Sequence, residues 1–127
     1  MISFSRRDIV VEYKDRTVIG LTEPIKLLSK KGKSKEVTAR IDTGATRSSL
    51  DINMVAELQL GPVLKSKLVK SASGNTVRPI IKTDMLISNK RVTAEFTLAD
   101  REHMKYKALI GQDVLKSNRF LIDPTKR

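Results

Sequence analysis

The sequence comprises 127 residues without a cysteine, and its 25 Lys and Arg residues outnumber the 14 Asp and Glu residues. This length accommodates one domain with a modest core, which we expect over residues 17–127, after an N-terminal extension of residues 1–16 to which the sequence assigns no role. The missing cysteines exclude disulfides and thiolate metal sites, and no apolar run is long enough to span a membrane as a helix.

The charge balance bears on location and on partners. No apolar stretch follows the basic residues near the amino terminus, so we expect no secretory signal and a cytoplasmic location. The formal net charge of +11 attracts polyanions over a Debye length of about 10 Å. The basic residues are scattered, however, and aromatic residues make up only 4% of the chain, which argues against nucleic acid as the partner.

The first predicted elements are a short strand and a hairpin. Residues 9–11 are compatible with a strand. Two apolar segments, residues 24–28 and 36–41, flank the lysine-rich stretch 29–35 and predict a hairpin with a basic loop. We interpret that loop as a solvated turn in preference to a phosphate-binding patch.

The hairpin leads into a turn that carries an acidic side chain. Apolar and polar residues alternate from residue 37 to Asp42, which predicts a strand with one buried face and a carboxylate at its end. Thr43 offers a hydroxyl and Gly44 carries no side chain, so another backbone can approach this turn closely. We interpret it as a candidate site for peptide chemistry. Because Asp, Thr and Gly are also ordinary turn residues, this interpretation depends on a second motif further along the chain.

A short helix is predicted after the turn. Asp51 or Asn53 is the expected N-cap. Ile52, Val55 and Ala56 are expected to share one face of this helix, which ends before a Gly-Pro pair. We expect the helix to contribute packing only.

Two longer strands come next. They are predicted over residues 64–72 and 76–87, around a tip of small residues at 73–75. Pro79 lacks a backbone donor and therefore suits an edge or projecting strand. The hairpin is either a flap that closes over Asp42 or an ordinary surface hairpin.

The remaining chain predicts a second hairpin and three short elements. Apolar residues alternate along residues 81–87 and 92–98, on either side of a short turn. A polar connection contains the single histidine, His103, which we expect at the surface. An apolar strand at 109–111, a short helical pattern and a strand at 120–124 follow. The chain is thus predicted to be mainly β, a small barrel or sandwich of six or seven short strands with one or two short helices.

Two motifs together resemble the retroviral-type aspartic proteases. The first is the Asp42-Thr43-Gly44 turn, and the second is the apolar-apolar-Gly sequence Leu109-Ile110-Gly111 before a short helical pattern. The order of Asp strand, flap hairpin, second hairpin, glycine strand, short helix and terminal strand is similar from about Pro24 to Asp123. The resemblance implies a retropepsin-like closed barrel.

A closer resemblance is to small prokaryotic proteins with retropepsin-like domains that are often labelled ATP-dependent zinc proteases. The shared residues are Arg40-Ile41-Asp42-Thr43-Gly44-Ala45, Ser48-Ser49-Leu50, Leu109-Ile110-Gly111, Asp113 and Phe120-Leu121-Ile122-Asp123-Pro124. Many bacterial members have His where this chain has Asp51. The chain has neither a Gly-x-x-x-x-Gly-Lys-Ser/Thr loop for phosphates nor enough soft ligands for zinc, so we expect no metal and no cofactor.

The resemblance implies an aspartic endopeptidase with Asp42 as its catalytic residue. Such chemistry needs two carboxyl groups, and this chain has one Asp-Thr-Gly, so the second must come from another copy in a homodimer. The resemblance further implies that Thr43 braces the dimer and that the carbonyl of Gly44 receives a substrate amide. Ala45 and Thr46 would line the cleft.

Further roles are implied for the flap, the glycine strand and the chain ends. The implied flap residues are Ser71, Ala72, Ser73, Gly74 and Asn75. Leu109, Ile110 and Gly111 would pack beneath the Asp42 loop, and the terminal segments would contribute interface strands. Thr46 and Gln112 depart from the retroviral pattern, which has an acidic residue and its arginine partner at these positions.

The expected substrate is a peptide or protein, with acidic or glutamyl-tailed chains favoured by the net charge. Members of the closer family are also associated with ligases that add glutamate to proteins or small molecules. Three alternatives stay open. They are a non-catalytic module that binds extended peptides by strand addition, glutamyl transfer or cyclisation at the same two carboxyl groups, and a basic nucleic-acid-binding barrel.

Overall fold

The computed structural model describes residues 10–72 and 74–126, which form ten strands and two helices. The strands are β1 (Val11–Tyr13), β2 (Arg16–Ile19), β3 (Thr22–Leu28), β4 (Ser34–Ile41), β5 (Ser49–Asp51), β6 (Val63–Ser71), β7 (Gly74–Ile87), β8 (Lys90–Ala99), β9 (Ala108–Ile110) and β10 (Leu121–Ile122). The helices are α1 (Ile52–Leu58) and α2 (Gln112–Ser117). Residue 9 of the predicted first strand and Ser73 of the predicted flap lie outside the described residues.

A closed barrel is the centre of the fold. The main sheet has the order β3-β4-β9-β5-β8-β7-β6, and β3 also pairs with β7. This second pairing closes six strands into a barrel and leaves β6 outside it, bonded to β7. The prediction of a mainly β closed barrel with short helices is therefore confirmed.

Alternation along the strands fills the barrel. Ile81, Met85 and Ile87 of β7 are buried, as the period of two predicted. Val92 and Phe96 of β8 are buried on the same basis. Full burial of one such side chain contributes about 1.5–3 kcal/mol, so this pattern supplies much of the driving force for closing the barrel.

A small second sheet brings both ends of the described chain together. β1 and β2 form an antiparallel hairpin, and β10 adds to β2 in parallel. The predicted strand at 9–11 is shifted, because β1 begins at Val11 and continues to Tyr13. The hairpin spans the predicted boundary between residues 16 and 17, which itself stays a prediction.

The predicted buried face of the first helix is correct for Val55 and wrong for Ile52 and Ala56, which are exposed. Asp51 is the N-cap, and its carboxylate accepts a hydrogen bond from the amide of Met54 at 3.2 Å. The buried residues are Met54, Val55 and Leu58, whereas Ile52 is 39% exposed. The three buried residues share one face and present more apolar area than Ile52, Val55 and Ala56, so the helix packs on that side.

The tip of the first long hairpin lies earlier than predicted. Gly74 pairs with Ser71 and Asn75 with Lys70, so two of the three predicted tip residues belong to β7. Pairing of β7 with β8 begins only at Ile80. Residues 63–72 and 74–79 therefore form a two-stranded arm, called the projecting hairpin below, and the predicted placement of Pro79 in a projecting strand is confirmed.

A buried ion pair fastens the end of the described chain to the barrel. Lys126 Nζ lies 2.6 Å from Glu23 Oε1, and their side chains are 5% and 3% exposed. Glu23 Oε1 also accepts a hydrogen bond from the amide of Gly20 at 2.9 Å. The carboxylate thus depends on partners from two separate segments.

Removing one member of this pair should destabilise the protein strongly. We expect Lys126→Met to lower the free energy of unfolding by about 3–5 kcal/mol, because a buried carboxylate loses its counter-charge. The double variant Glu23→Gln/Lys126→Met should recover much of that loss. Urea unfolding followed by circular dichroism measures both, and equal losses in the two variants would contradict the explanation.

Candidate active site

Asp42 is positioned by a parallel strand pair. β4 and β9 run parallel, with Ile41 opposite Ile110 in the register. The amide of Asp42 donates to the carbonyl of Ile110 at 2.8 Å, so the pairing holds Asp42 just beyond the last strand residue. The half-buried carboxylate therefore sits at the end of a strand in which Ala39 and Ile41 are buried and the alternate residues are exposed, in line with the predicted strand with one buried face.

The turn folds back onto the carboxylate. The amide of Gly44 donates to Asp42 Oδ1 at 3.0 Å, and the amide of Ala45 donates to the carbonyl of Asp42 at 3.2 Å. A Cβ on Gly44 would lie 3.3 Å from Asp42 Oδ1. Thr43 and Gly44 are exposed, so this face of the turn is open to another molecule.

The start of α2 docks onto the same turn. The amide of Gln112 donates to the carbonyl of Ala45 at 2.8 Å, and that of Asp113 to the carbonyl of Thr46 at 3.2 Å. The side-chain Nε2 of Gln112 donates to the carbonyl of Thr43 at 2.8 Å. Three donors from two adjacent residues thus hold the carbonyls of the turn.

Gly111 allows this docking because it occupies little space. A Cβ at this position would lie 2.6 Å from the carbonyl oxygen of Arg47 and 2.8 Å from that of Ala45. Its φ of −104° is ordinary for any residue, so the requirement for glycine is steric. Leu109 and Ile110 precede it in β9, with Ile110 fully buried.

Hydrogen bonds between Ser48 and Asp113 connect the segment after the Asp42 turn to the start of α2. The buried Ser48 Oγ donates to Asp113 Oδ1 at 2.7 Å and accepts from the amide of Gly111 at 2.9 Å. The amide of Ser48 donates to Asp113 Oδ2 at 3.2 Å. Both residues belong to the sequence motifs, but sequence alone assigned them no role because their contact joins positions 65 residues apart.

A basic cavity of about 420 Å³ lies between the Asp42 loop and the projecting hairpin. Its lining comes from the segment after the turn, from both strands of the hairpin and from β8. These residues are Thr46, Arg47, Ser48, Ser49, Lys67, Leu68, Lys70, Arg78 and Thr97. Four of them are cations and none is acidic. Asp42 does not line this cavity.

Two features of the residues that line this cavity are unfavourable for stability. Ser49 Oγ is buried and has no hydrogen-bond partner among the described residues. Lys67 lies directly opposite Arg78 in the register of the projecting hairpin, and like charges in such cross-strand pairs are destabilising. These residues could not be paired from the sequence, because the predicted tip at 73–75 gives a different register from the one that places Lys67 opposite Arg78.

The predicted flap residues lie at the end of the projecting hairpin. Ser71, Gly74 and Asn75 belong to its paired strands, and Ala72 belongs to its turn. Ala72, Gly74 and Asn75 are not among the residues that line the basic cavity, whereas Lys67 and other residues nearer the barrel are. The flap role of the segment 71–75 therefore stays a prediction.

Two further observations concern metals and membranes. In the described residues, no group of three His, Cys, Asp or Glu side chains is arranged to hold a metal ion. His103 is exposed in a loop. The two helices of the described chain, with seven and six residues, are too short to cross a membrane.

Comparison with protein families identifies the chain. A model described as RimB-like, "Retropepsin-like aspartic endopeptidase RimB", matches residues 55–127. This match covers more than half of the chain, includes Gly111 and α2, and begins after the Asp42 turn. The chain belongs to the RimB-like family. The resemblance drawn from the Asp-Thr-Gly and Leu-Ile-Gly motifs is thereby confirmed at the level of the family.

Two curated relatives are both named "Probable alpha-L-glutamate ligase". The protein from Desulfotalea psychrophila is 33% identical over 64 residues, which is 50% of this chain and 14% of that protein. The protein from Parasynechococcus marenigrum is 26% identical over 113 residues, covering 69% of this chain and 24% of that protein. This chain thus spans a quarter or less of the length of these relatives.

Solved structures show the same fold. A protein of unknown function from Legionella pneumophila matches with a TM-score of 0.58 and 19% identity, over 87% of this chain and 98% of that one. Simian foamy virus protease matches with a TM-score of 0.55 and 15% identity, over 75% and 91% of the two chains. EIAV protease in complex with an inhibitor matches with a TM-score of 0.59 and 17% identity, over 84% and 93%. The barrel is therefore retropepsin-like.

The steric requirement at Gly111 can be tested against that at Gly44. We expect Gly111→Ala to lower the free energy of unfolding by about 1–3 kcal/mol, because its Cβ would displace two backbone carbonyls. Gly44→Ala meets one side-chain atom at 3.3 Å, so its loss should be smaller, below about 1 kcal/mol. Denaturant unfolding of both variants measures the difference, and the reverse order would show that packing beneath the turn does not constrain the loop.

Proposed function

We propose that two copies of this chain form an aspartic peptidase in which the two Asp42 carboxyl groups meet across a two-fold axis. The supporting observation is the placement of Asp42 directly after the part of β4 that pairs with β9, beside a turn whose outer face is open. One chain contains one Asp-Thr-Gly, so the second carboxyl group must come from another copy. Membership of a family described as retropepsin-like aspartic endopeptidases supports the same reaction.

The proposed reaction is the hydrolysis of a peptide bond by water. Two carboxyl groups roughly 3 Å apart share one proton, because both cannot ionise together. The ionised group accepts a proton from water, whose oxygen attacks the peptide carbonyl carbon while the protonated group donates to the carbonyl oxygen. The tetrahedral intermediate then breaks its C–N bond as the amine takes up a proton, which yields a carboxylic acid and an amine.

The turn residues have proposed roles in dimerisation and substrate binding. Thr43 is exposed beside Asp42, where its hydroxyl can bond across the two-fold axis. The carbonyl of Gly44 is proposed to accept a substrate amide, and Ala45 and Thr46 to border the bound peptide. Of these residues, Thr46 also lines the basic cavity.

Acidic peptides, including glutamyl-tailed chains, are the proposed substrates. Arg47, Lys67, Lys70 and Arg78 line the cavity beside the Asp42 loop without a carboxylate among the described lining residues. An acidic side chain there would neutralise the opposed Lys67 and Arg78. The relatives named as glutamate ligases point to the same chemistry, since a product of such a ligase carries added glutamate.

A non-catalytic peptide-binding module is the second candidate. β6 ends the main sheet and pairs with β7 alone, so its other edge is available to an extended peptide. A chain that stays monomeric while binding acidic peptides would favour this function over hydrolysis.

Replacing the proposed catalytic carboxylate tests hydrolysis directly. We expect Asp42→Asn to lower kcat/KM for an acidic peptide by at least about 10²–10⁴-fold, because neither proton transfer can be made by an amide. The variant should remain folded and dimeric by circular dichroism and sedimentation. Asp15→Asn, at an exposed turn residue with a φ of 63°, is a matched control that should retain parental activity. Parental turnover by Asp42→Asn, or a strictly monomeric active parent, would refute the proposal.

The proposed acidic specificity predicts two opposite effects of one substitution. Arg78→Gln should weaken binding of a glutamate-rich peptide by about tenfold, because one charge-assisted hydrogen bond is lost. It should also raise the free energy of unfolding by about 0.2–1 kcal/mol, since Lys67 no longer faces a like charge. Lys35→Gln, at an exposed residue outside the cavity, controls for net charge. Titration calorimetry and urea unfolding measure both effects, and an equal loss of affinity in the control would assign binding to overall charge.

A further inference from the structure

One peptide group links Gln112 to the carboxylate of Asp42. Gln112 Nε2 donates to the carbonyl of Thr43 at 2.8 Å. The amide that follows this carbonyl is that of Gly44, which donates to Asp42 Oδ1 at 3.0 Å. The carbonyl and the amide belong to one planar unit, because rotation about the C–N bond between them is blocked. Gln112 and Asp42 therefore bond to opposite sides of the same rigid plane.

The planar peptide group couples these two hydrogen bonds in two ways. Any rotation that weakens the bond at the carbonyl also turns the Gly44 amide away from Asp42. In addition, a donor at a carbonyl polarises the amide, and linked hydrogen bonds of this kind strengthen one another by about 10–30%. Gln112 thus influences both the direction and the strength of the hydrogen bond that Asp42 receives.

The backbone of Gln112 is itself held firmly. Its backbone amide bonds to the carbonyl of Ala45, and the preceding Gly111 packs against the carbonyls of Ala45 and Arg47. Only the Nε2 atom of the side chain can donate, so the observed contact with a carbonyl fixes the orientation of the side-chain amide. Because this amide is neutral at every working pH, the contact persists while neighbouring carboxyl groups titrate.

We propose that Gln112 is a positioning residue that orients the carboxylate of Asp42 through the Thr43–Gly44 peptide group. This inference rests on the proposed function for its kinetic consequences, but the hydrogen-bond relay exists independently of catalysis. The side chain of Gln112 donates to Thr43, not to the carboxylate of Asp42, and Gln112 is not among the described residues that line the basic cavity. Its loss should therefore lower kcat and leave KM nearly unchanged.

Two substitutions separate donation from packing. Gln112→Met keeps the length of the side chain but cannot donate, and it should lower kcat by about two- to tenfold, the effect of one hydrogen bond. Gln112→Glu should lower kcat further near pH 7, where an ionised carboxylate faces the Thr43 carbonyl. Its kcat relative to the parent at the same pH should rise as the pH falls through about 4, because a protonated carboxyl group can donate again.

An NMR measurement tests the relay without catalysis. The amide proton of Gly44 should move upfield in Gln112→Met, because its hydrogen bond to Asp42 weakens. In Gln112→Glu this proton should differ from the parent near pH 7 and approach the parental position, compared at equal pH, below about pH 4. Lys116→Met, at an exposed residue of the same helix, should leave both the amide proton and kcat at parental values.

The outcomes distinguish this inference from the proposed function. An unchanged Gly44 amide proton in Gln112→Met, or a kcat deficit in Gln112→Glu that does not recover on acidification, would overturn the relay. A parent without peptidase activity would overturn the proposed function, while the shift of the Gly44 proton would still support the relay. If Gln112→Met fails to fold, the pH dependence of Gln112→Glu decides the question.

Discussion

The structure depends on the docking of β9 and the start of α2 against the Asp42 turn. β4 ends in register with β9, and the bond from the Asp42 amide to Ile110 extends that pairing into the turn. Gly111 then brings α2 close enough for its first amides to bind the turn carbonyls. The proposed peptidase needs this rigidity, because a small displacement of the turn would separate its two Asp42 carboxyl groups.

The projecting hairpin contrasts with the tightly packed Asp42 turn. Its two strands extend beyond the closed barrel, and Lys67 lies opposite Arg78 near the start of this extension. A sheet that tolerates like charges in direct opposition gives up some stability, and such sacrifices are concentrated at functional sites. The proposal that acidic peptides bind beside the Asp42 loop rests on this opposition and on the four cations that line the basic cavity.

Local patterns predicted most of the barrel, and they erred where tertiary packing chose between similar options. Alternation correctly identified the buried sides of β7 and β8, and Asp51 was correctly considered as the cap of α1. The prediction that Ile52 lies on the buried face of α1 was wrong. The helix buries Met54 and Leu58, and the sequence alone did not distinguish between these choices. The hairpin tip was predicted too late in the sequence. Glycine is common in turns, but Gly74 pairs within a strand.

The sequence by itself determined the strand that ends in Asp42, the glycine motif that accompanies it and the excess of positive charge, since these are properties of neighbouring residues and of composition. Only the tertiary structure decided that Gly111 must lack a side chain for steric reasons, that Ser48 bonds to Asp113, and that four cations surround one cavity. The physical reason is distance along the chain. Contacts between positions some 65 residues apart depend on how the barrel closes, and no local periodicity encodes that closure.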